Sequence, residues 1–124
     1  MIVSLHLWGR DISLKIVYDC YAGEKILPSQ REAAEEFVKN STYTDRSIPQ
    51  IIRYMNETYF IGRNIPEDSD LYRYLQPECL YAARLEDRHR IAVLCSSPLE
   101  EEHGIAVVYD NGVFKAFGQQ DIIL

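Results

Sequence analysis

Residues 104–118, GIAVVYDNGVFKAFG, carry the strongest structural signal in this sequence. Two segments rich in β-branched and aromatic residues flank Asn111-Gly112, and both of these residues accept the positive φ angles that a type I′ turn requires. The stretch therefore predicts a β-hairpin at the C-terminal end of a sheet. Residues 119–124 are expected to add a last extended piece.

Further strand-like segments lie upstream of this hairpin and at the start of the chain. Residues 90–95, RIAVLC, form a near-continuous apolar run that is typical of a central strand, and residues 79–86 alternate more weakly. Residues 2–8 and 12–20 are also strand-like. Residues 9–11, GRD, form a connection short enough to join these two as an opening hairpin.

Two amphipathic helices are predicted between the strand-like ends. The first covers residues 30–39, and Ser29 with Glu32 three positions later matches a capping box, in which each side chain satisfies a backbone amide of the other. The second begins near Pro49, because proline is tolerated in the first helical turn. Ser47 is the expected cap of this second helix.

The element order β-β-α-α-β-β-β-β predicts an α+β fold. Strands grouped at both ends favour an antiparallel sheet with the two helices packed on one face. Residues 70–75, before Pro77, are expected to form a short helical turn or, alternatively, an extended segment. Because 124 residues is a common size for one domain and no linker-like stretch divides them, residues 1–124 are expected to form a single α+β domain.

Charge and hydropathy argue against nucleic acid and membrane as partners. The chain has 19 acidic and 13 basic residues, a net charge of −6, and its basic residues are scattered. A nucleic-acid interface requires clustered Lys and Arg to displace counterions from phosphates. The apolar N-terminal stretch lacks a preceding basic region and ends early, and no apolar run reaches the ~18 residues that span a bilayer. We therefore expect a cytoplasmic protein.

No pattern for a cofactor or a metal is present. The chain contains neither of the common glycine-rich phosphate-binding motifs, nor the GxSxG of serine hydrolases. Its cysteines and histidines are too far apart for local zinc-ligand spacing. These residues are Cys20, Cys79, Cys95, His6, His89 and His103. We expect no cofactor and no metal site.

Acidic loops and tyrosines form the candidate partner-binding surface. The acidic loops are two clusters of carboxylates, which can attract a basic partner if they flank one face. Tyrosine supplies a large contact area with a polar tip and is enriched at interfaces. The candidate partner-binding residues are Glu67, Asp68, Asp70, Tyr72, Tyr74, Glu100, Glu101 and Glu102.

Two stretches, VYDCYAGEKILPSQREAAEEF near the N-terminus and EEHGIAVVYDNGVFKAFGQQDIIL at the C-terminus, resemble a family of small acidic bacterial domains. Members of such families are often encoded beside secreted toxins. Some resemble immunity proteins of contact-dependent inhibition or polymorphic-toxin systems. The resemblance implies a protein that neutralises a toxin by direct binding, and it implies no catalytic residue.

Three functional hypotheses follow from these observations. The first is a non-enzymatic protein-binding module, with a basic toxin domain as the partner that the resemblance suggests. The second is an enzyme of unfamiliar type that uses Cys95 as a nucleophile or His103 as a base. The third is a structural subunit that associates with copies of itself through the edge of the terminal hairpin. The sequence leaves the oligomeric state open.

Overall fold

A computed structural model describes residues 1–123, which form an α+β fold with a six-stranded sheet and two α-helices. The element order confirms the predicted one. Neither α-helix in this described part is long and apolar enough to span a membrane. The elements are β1 (Ile2–Leu7), β2 (Arg10–Tyr18), α1 (Pro28–Lys39), α2 (Ile48–Thr58), β3 (Gln76–Ala82), β4 (Arg90–Ser96), β5 (Ile105–Asp110) and β6 (Val113–Gln119), with 3₁₀ helices at Ser41–Ser47, Leu71–Arg73 and Gln120–Ile122.

The prediction of a wholly antiparallel sheet is wrong at one pair of strands. The sheet has the order β1-β2-β3-β4-β5-β6, and β2 runs parallel to β3, with Lys15 opposite Cys79 and Tyr18 opposite Ala82. All other neighbours are antiparallel. The helical middle of the chain is the reason, because it forms the long crossover that a parallel pair requires.

Both two-residue hairpin turns adopt left-handed conformations. Asn111 and Gly112 have φ values of 50° and 82°, which confirms the predicted turn of the terminal hairpin. The opening hairpin was also predicted correctly, but its turn is formed by Trp8 and Gly9, with φ values of 49° and 84°, rather than by residues 9–11. A bulky aromatic residue rarely has a positive φ, so tertiary contacts must hold Trp8 in place.

The predicted capping box at the start of α1 is wrong. Ser29 does not cap the helix, and its hydroxyl instead donates to the carbonyl oxygen of Leu85 at 3.0 Å. The helix begins at Pro28, and the Oε1 atom of Gln30 accepts a hydrogen bond from the Leu27 amide at 2.9 Å. The side chain that satisfies the helix start is therefore Gln30 rather than Glu32.

Gln30 also ties the start of α1 to the sheet. Its amide nitrogen donates to the carbonyl oxygens of Asp19, just after β2, and of Ala82, the last residue of β3, at 2.9 and 3.2 Å. The side chain is almost fully buried, and each of its polar atoms has a partner. Burial of this amide is tolerated because its hydrogen-bonding capacity is used.

Several boundaries differ from the predicted ones. The second helix begins at Ile48, close to its predicted start, but the preceding 3₁₀ helix at Ser41–Ser47 was not predicted. The predicted short helical turn is confirmed at Leu71–Arg73. The third strand ends at Ala82, and Gln120–Ile122 is a 3₁₀ helix rather than an extended piece. Leu124, the last residue of that predicted piece, lies outside the described residues.

The two faces of the sheet contribute to two apolar clusters. Buried side chains of both helices join the larger cluster, together with alternate residues of β3, β4 and β5, as the period-two geometry of strands requires. The intervening residues face the smaller cluster. The buried strand residues of the larger cluster include Leu80, Ala82, Ile91, Val93, Cys95, Ile105, Val107 and Tyr109, and those of the smaller one are Ala92, Ala106 and Val108.

Candidate functional site

The first acidic loop is largely paired with basic side chains of the same chain. Glu67 accepts from Arg53 Nε of α2 at 3.0 Å. Asp70 forms an ion pair with Arg10 at the start of β2. Asp68 is exposed. Two of the three predicted carboxylates therefore hold the loop against neighbouring elements, and Asp68 is directed to solvent.

The two tyrosines near this loop are half-buried. The Tyr72 hydroxyl donates to the Leu7 carbonyl oxygen at 2.6 Å, its ring lies edge-on to Trp8, and burial raises its pKa to about 12. The Tyr74 ring lies 5.3 Å from that of Phe60. Both rings pack against other elements and leave only part of their surface for a partner.

The second acidic loop lies against the C-terminal end of α2. Glu100 accepts a hydrogen bond from the Tyr59 hydroxyl at 3.1 Å, whereas Glu101 and Glu102 are exposed. The first loop contacts the same helix through Arg53, less than two turns earlier, which corresponds to about 9 Å along the axis. Both acidic loops therefore contact α2 or its C-terminal end, and Asp68, Glu101 and Glu102 are among their exposed carboxylates.

Cys95 and His103 lie in different surroundings. Cys95 is fully buried on β4, and burial raises the pKa of its thiol, which disfavours the nucleophilic thiolate. His103 is exposed, and its ring contacts Glu102 at 3.7 Å. Across residues 1–123, no hydrogen bond joins the two side chains. The buried thiol favours a structural role for Cys95 in the core.

The histidines lie in separate places. His6 bridges two carboxylates, with Nδ1 3.0 Å from Asp11 and Nε2 2.9 Å from Asp45, and hydrogen bonds to Asp45 and then Asp11 raise its pKa. His89 lies near α1. Among the residues that the structure describes, no group of three His, Cys, Asp or Glu side chains could hold a metal ion.

A concave surface lies between α1, the 3₁₀ helix Ser41–Ser47 and the tip of the terminal hairpin. It has a volume of about 420 Å³, which is within the range of ligand-binding pockets. We call it the hairpin cleft. Among its lining residues are Phe37, Tyr43, Arg46, His89, Tyr109 and Val113.

The floor of the hairpin cleft contains a directed chain of hydrogen bonds. Trp8 Nε1 is 3.0 Å from the Tyr109 hydroxyl, which lies 2.6 Å from Ser47 Oγ, and Ser47 Oγ donates to the Thr44 carbonyl oxygen at 2.6 Å. An indole N–H only donates and a carbonyl only accepts, so Tyr109 accepts from Trp8 and donates to Ser47. This series of hydrogen bonds connects the strained turn of the opening hairpin to the 3₁₀ helix through the buried Tyr109 hydroxyl.

Aromatic rings surround that hydroxyl. The Tyr109 ring lies 5.3 Å from Phe37 and 6.2 Å from Phe114, and Phe114 lies 5.8 Å from the half-exposed Tyr54 ring of α2. Burial raises the pKa of Tyr109 to about 12, so its hydroxyl stays protonated near neutral pH. The floor is therefore uncharged and aromatic, with its polar atoms already paired inside the protein.

His89 fixes one end of the hairpin cleft. Its amide donates to Asn111 Oδ1 at 3.0 Å, and the Asn111 amide donates to its carbonyl oxygen at 2.8 Å. Its ring nitrogens lie 3.3 Å from Glu36 and 3.6 Å from Glu32 of α1. The hairpin turn, the loop before β4 and α1 are thus joined at one residue.

The rim of the hairpin cleft exposes apolar and aromatic surface. Tyr43 is 54% exposed and Val113 is 69% exposed. The guanidinium of Arg46 lies 4.7 Å above the Tyr43 ring in a cation–π contact, and within residues 1–123 it has no ion-pair partner. Tyrosine and arginine are enriched at the centres of protein interfaces.

The sequence prediction missed Tyr43 and Arg46. They lie in a 3₁₀ helix, STYTDRS, that has no apolar periodicity. A tyrosine and an arginine set among small polar residues is itself a signal, because such a segment cannot bury the ring in its own core-facing stripe. That signal indicates exposure, but the neighbouring concave surface is formed only by the fold.

The fold and the hairpin cleft define a small α+β domain with an aromatic concave surface. Residues 2–124 match the family described as domain of unknown function DUF6985, and the chain belongs to this family. No curated protein and no solved structure matches the chain. Because the family description names no function, the predicted resemblance to immunity proteins gains no support from the match.

Proposed function

We propose that the protein is a non-enzymatic protein-binding module and that the hairpin cleft is its main binding surface. The observation that carries this proposal is the aromatic floor with Tyr43 and Val113 exposed at its rim. Stable protein interfaces combine an apolar, aromatic centre with a polar rim, and a few such residues supply most of the binding energy.

The acidic loops have a secondary role in this proposal. Glu67, Asp70 and Glu100 already interact within the chain, so a partner would have to replace those contacts. Asp68 and Glu101 are exposed and can attract a basic partner over longer distances. Such charges increase the association rate more than the affinity.

The biological partner that we propose is a bacterial toxin domain, which the protein neutralises by direct binding in the cytoplasm. The resemblance to immunity proteins motivates this choice, and the net charge of −6 suits a basic toxin. The full burial of Cys95 supports a binding role over thiol catalysis. The partner is expected to bury on the order of 1,600 Å² in total.

The direct test uses the protein encoded immediately upstream as the candidate partner. Calorimetry would measure its affinity for the wild type and for the Tyr43→Ala and Val113→Asp variants. Both substitutions are at exposed positions. Each is expected to weaken binding about tenfold or more, as substitutions of residues at the centre of an interface do. The control is Tyr21→Ala, at a tyrosine that is more exposed than Tyr43 and lies outside the hairpin cleft, which should leave the affinity within about twofold.

Three results would contradict the proposal. One is an absence of binding together with no protection of cells that express the upstream protein. Another is tight binding that neither Tyr43→Ala nor Val113→Asp weakens. The last is a dimer of the free protein, seen by light scattering, that Val113→Asp dissociates, because a second copy would then occupy the hairpin cleft.

A further inference from the structure

The hairpin cleft has walls of opposite charge. Glu36 lines it from α1, and Glu32 lies one turn earlier on the same helix. Arg46 lines it from the 3₁₀ helix. An occupant of the hairpin cleft therefore meets carboxylates on α1 and a guanidinium on the 3₁₀ helix.

The α1 side stays negative despite the nearby histidine. His89 contacts both Glu32 and Glu36, but a neutral imidazole carries only one N–H and can donate to only one of them. A protonated imidazole would bind both carboxylates and still leave one net negative charge. In either state, this side of the hairpin cleft attracts a cation.

The Arg46 side disfavours a second cation. Its guanidinium lies on the Tyr43 ring and has no carboxylate partner among residues 1–123. A run of basic residues across the hairpin cleft would bring like charges together, which costs binding energy. A main-chain carbonyl or a carboxylate of the partner would instead accept hydrogen bonds from Arg46.

We infer that the occupant of the hairpin cleft is a partner segment in which one aromatic or aliphatic side chain lies next to a single Lys or Arg. The apolar side chain packs against the exposed Tyr43 and Val113, above the buried aromatic floor, and the cation lies beside Glu36. The inference rests on the proposed function and adds the chemistry of the partner to it. It also locates the electrostatic contact on α1 rather than on the acidic loops.

Short peptides can test this chemistry on the full chain. The probes are acetylated and amidated peptides with the cores Lys-Phe, Glu-Phe and Lys-Phe-Lys, each flanked by glycine. Titrations of the ¹⁵N-labelled protein would follow the amide signals of Thr44, Gly112 and Val113, which line the hairpin cleft. The Lys-Phe peptide is expected to bind about threefold to fivefold more tightly than either of the others, the range that one partly exposed charge pair provides.

Variants that remove one negative charge each identify the carboxylate responsible for the preference for the Lys-Phe peptide. Glu36→Gln should reduce the preference for Lys-Phe over Glu-Phe by about threefold, and Glu32→Gln should reduce it to a smaller extent. Glu101→Gln makes the same chemical change in the second acidic loop and should leave the preference intact. All three positions are on the surface, so the variants should fold, and unchanged spectra away from the site would verify this.

The outcomes separate the inference from the proposed function. Equal affinity for the three peptides at the hairpin cleft would overturn the inference and leave the proposed function standing. A preference that Glu101→Gln abolishes and Glu36→Gln does not would also overturn it. If no peptide at millimolar concentration shifts the signals of the hairpin cleft, both the inference and the choice of this surface are wrong.

Discussion

The Tyr109→Phe substitution tests the buried hydrogen-bond chain beneath the hairpin cleft. It removes one oxygen atom and preserves the ring that contacts Phe37 and Phe114. The Trp8 indole N–H would then be buried without its acceptor, and Ser47 would lose its donor but retain its bond to the Thr44 carbonyl. The change therefore isolates the polar contribution of the floor from its packing.

The expected loss of stability follows from the group left without a partner. A buried donor without an acceptor costs about 1–3 kcal/mol, and the weakened Ser47 contact adds about 0.5 kcal/mol. We expect a decrease of about 2 kcal/mol in the free energy of unfolding. For a chain of this length, that corresponds to a decrease of roughly 6–10 °C in Tm.

Urea unfolding followed by fluorescence measures this loss directly, because Trp8 is the only tryptophan in the sequence and takes part in the bond. Tyr21→Phe, at an exposed tyrosine, is the matched control and should change the free energy by less than about 0.5 kcal/mol. Ser47→Ala interrupts the same series of hydrogen bonds, so the loss in free energy of unfolding for the double variant should be smaller than the sum of the two single losses. A loss below about 0.5 kcal/mol for Tyr109→Phe, or strict additivity, would refute the reasoning.

Three further predictions concern other parts of the fold. Gly104→Ala should lower the free energy of unfolding by about 2–4 kcal/mol, because φ is +62° and the added Cβ would lie 2.9 Å from a backbone oxygen. The control Gly23→Ala, at φ +85° in open space, should lower it by only about 1 kcal/mol. Equal losses for the two variants would contradict the contact argument. Because the pKa of His6 is raised, its contribution to stability is complete below pH 6.5 and falls as the pH rises through the folded-state pKa. The difference in urea midpoint between wild type and His6→Gln should therefore decrease between about pH 5.5 and about pH 8.5. An increase in that difference over the same range would contradict the prediction. In the native protein, iodoacetamide should label the half-buried Cys20 but not Cys95, as measured by mass spectrometry. Rapid labelling of Cys95 would instead favour the hypothesis that this thiol is a catalytic nucleophile.

The terminal hairpin was predictable because its information is local. Asn111-Gly112 and the flanking alternation determine turn type and pairing within a short stretch. The turn of the opening hairpin was not predictable in the same way, because Trp8 adopts an unfavourable φ that only distant contacts with Thr44 and Tyr109 stabilise. Local propensity could therefore locate both hairpins but only one turn.

Long-range pairing explains the wrong strand direction and the wrong cap. Whether β3 joins β2 in parallel depends on how the helical crossover returns the chain, and no residue in either strand encodes that return. The cap at α1 was decided by two carbonyl oxygens, those of Asp19 and Ala82, which the fold brings to Gln30. Ser29 has the better local capping chemistry, but its hydroxyl donates a hydrogen bond to the Leu85 carbonyl oxygen instead.

The candidate site was partly hidden for the same reason. Charge in the sequence indicated the acidic loops, but it could not show that Arg10 and Arg53 lie beside Asp70 and Glu67 in the fold. The hairpin cleft is made from elements far apart along the chain, and exposure of Val113 is what makes its rim available. A sequence identifies such residues one at a time and does not show that they surround one concave surface.

Hydrogen exchange of the complex with the upstream-encoded protein tests most directly whether the hairpin cleft is where a partner binds. We predict that complex formation slows amide exchange in residues 41–47 and 111–114, and leaves residues 66–70 and 100–103 unchanged. Protection confined to the latter two segments, with unaltered exchange at Tyr43 and Gly112, would contradict the account.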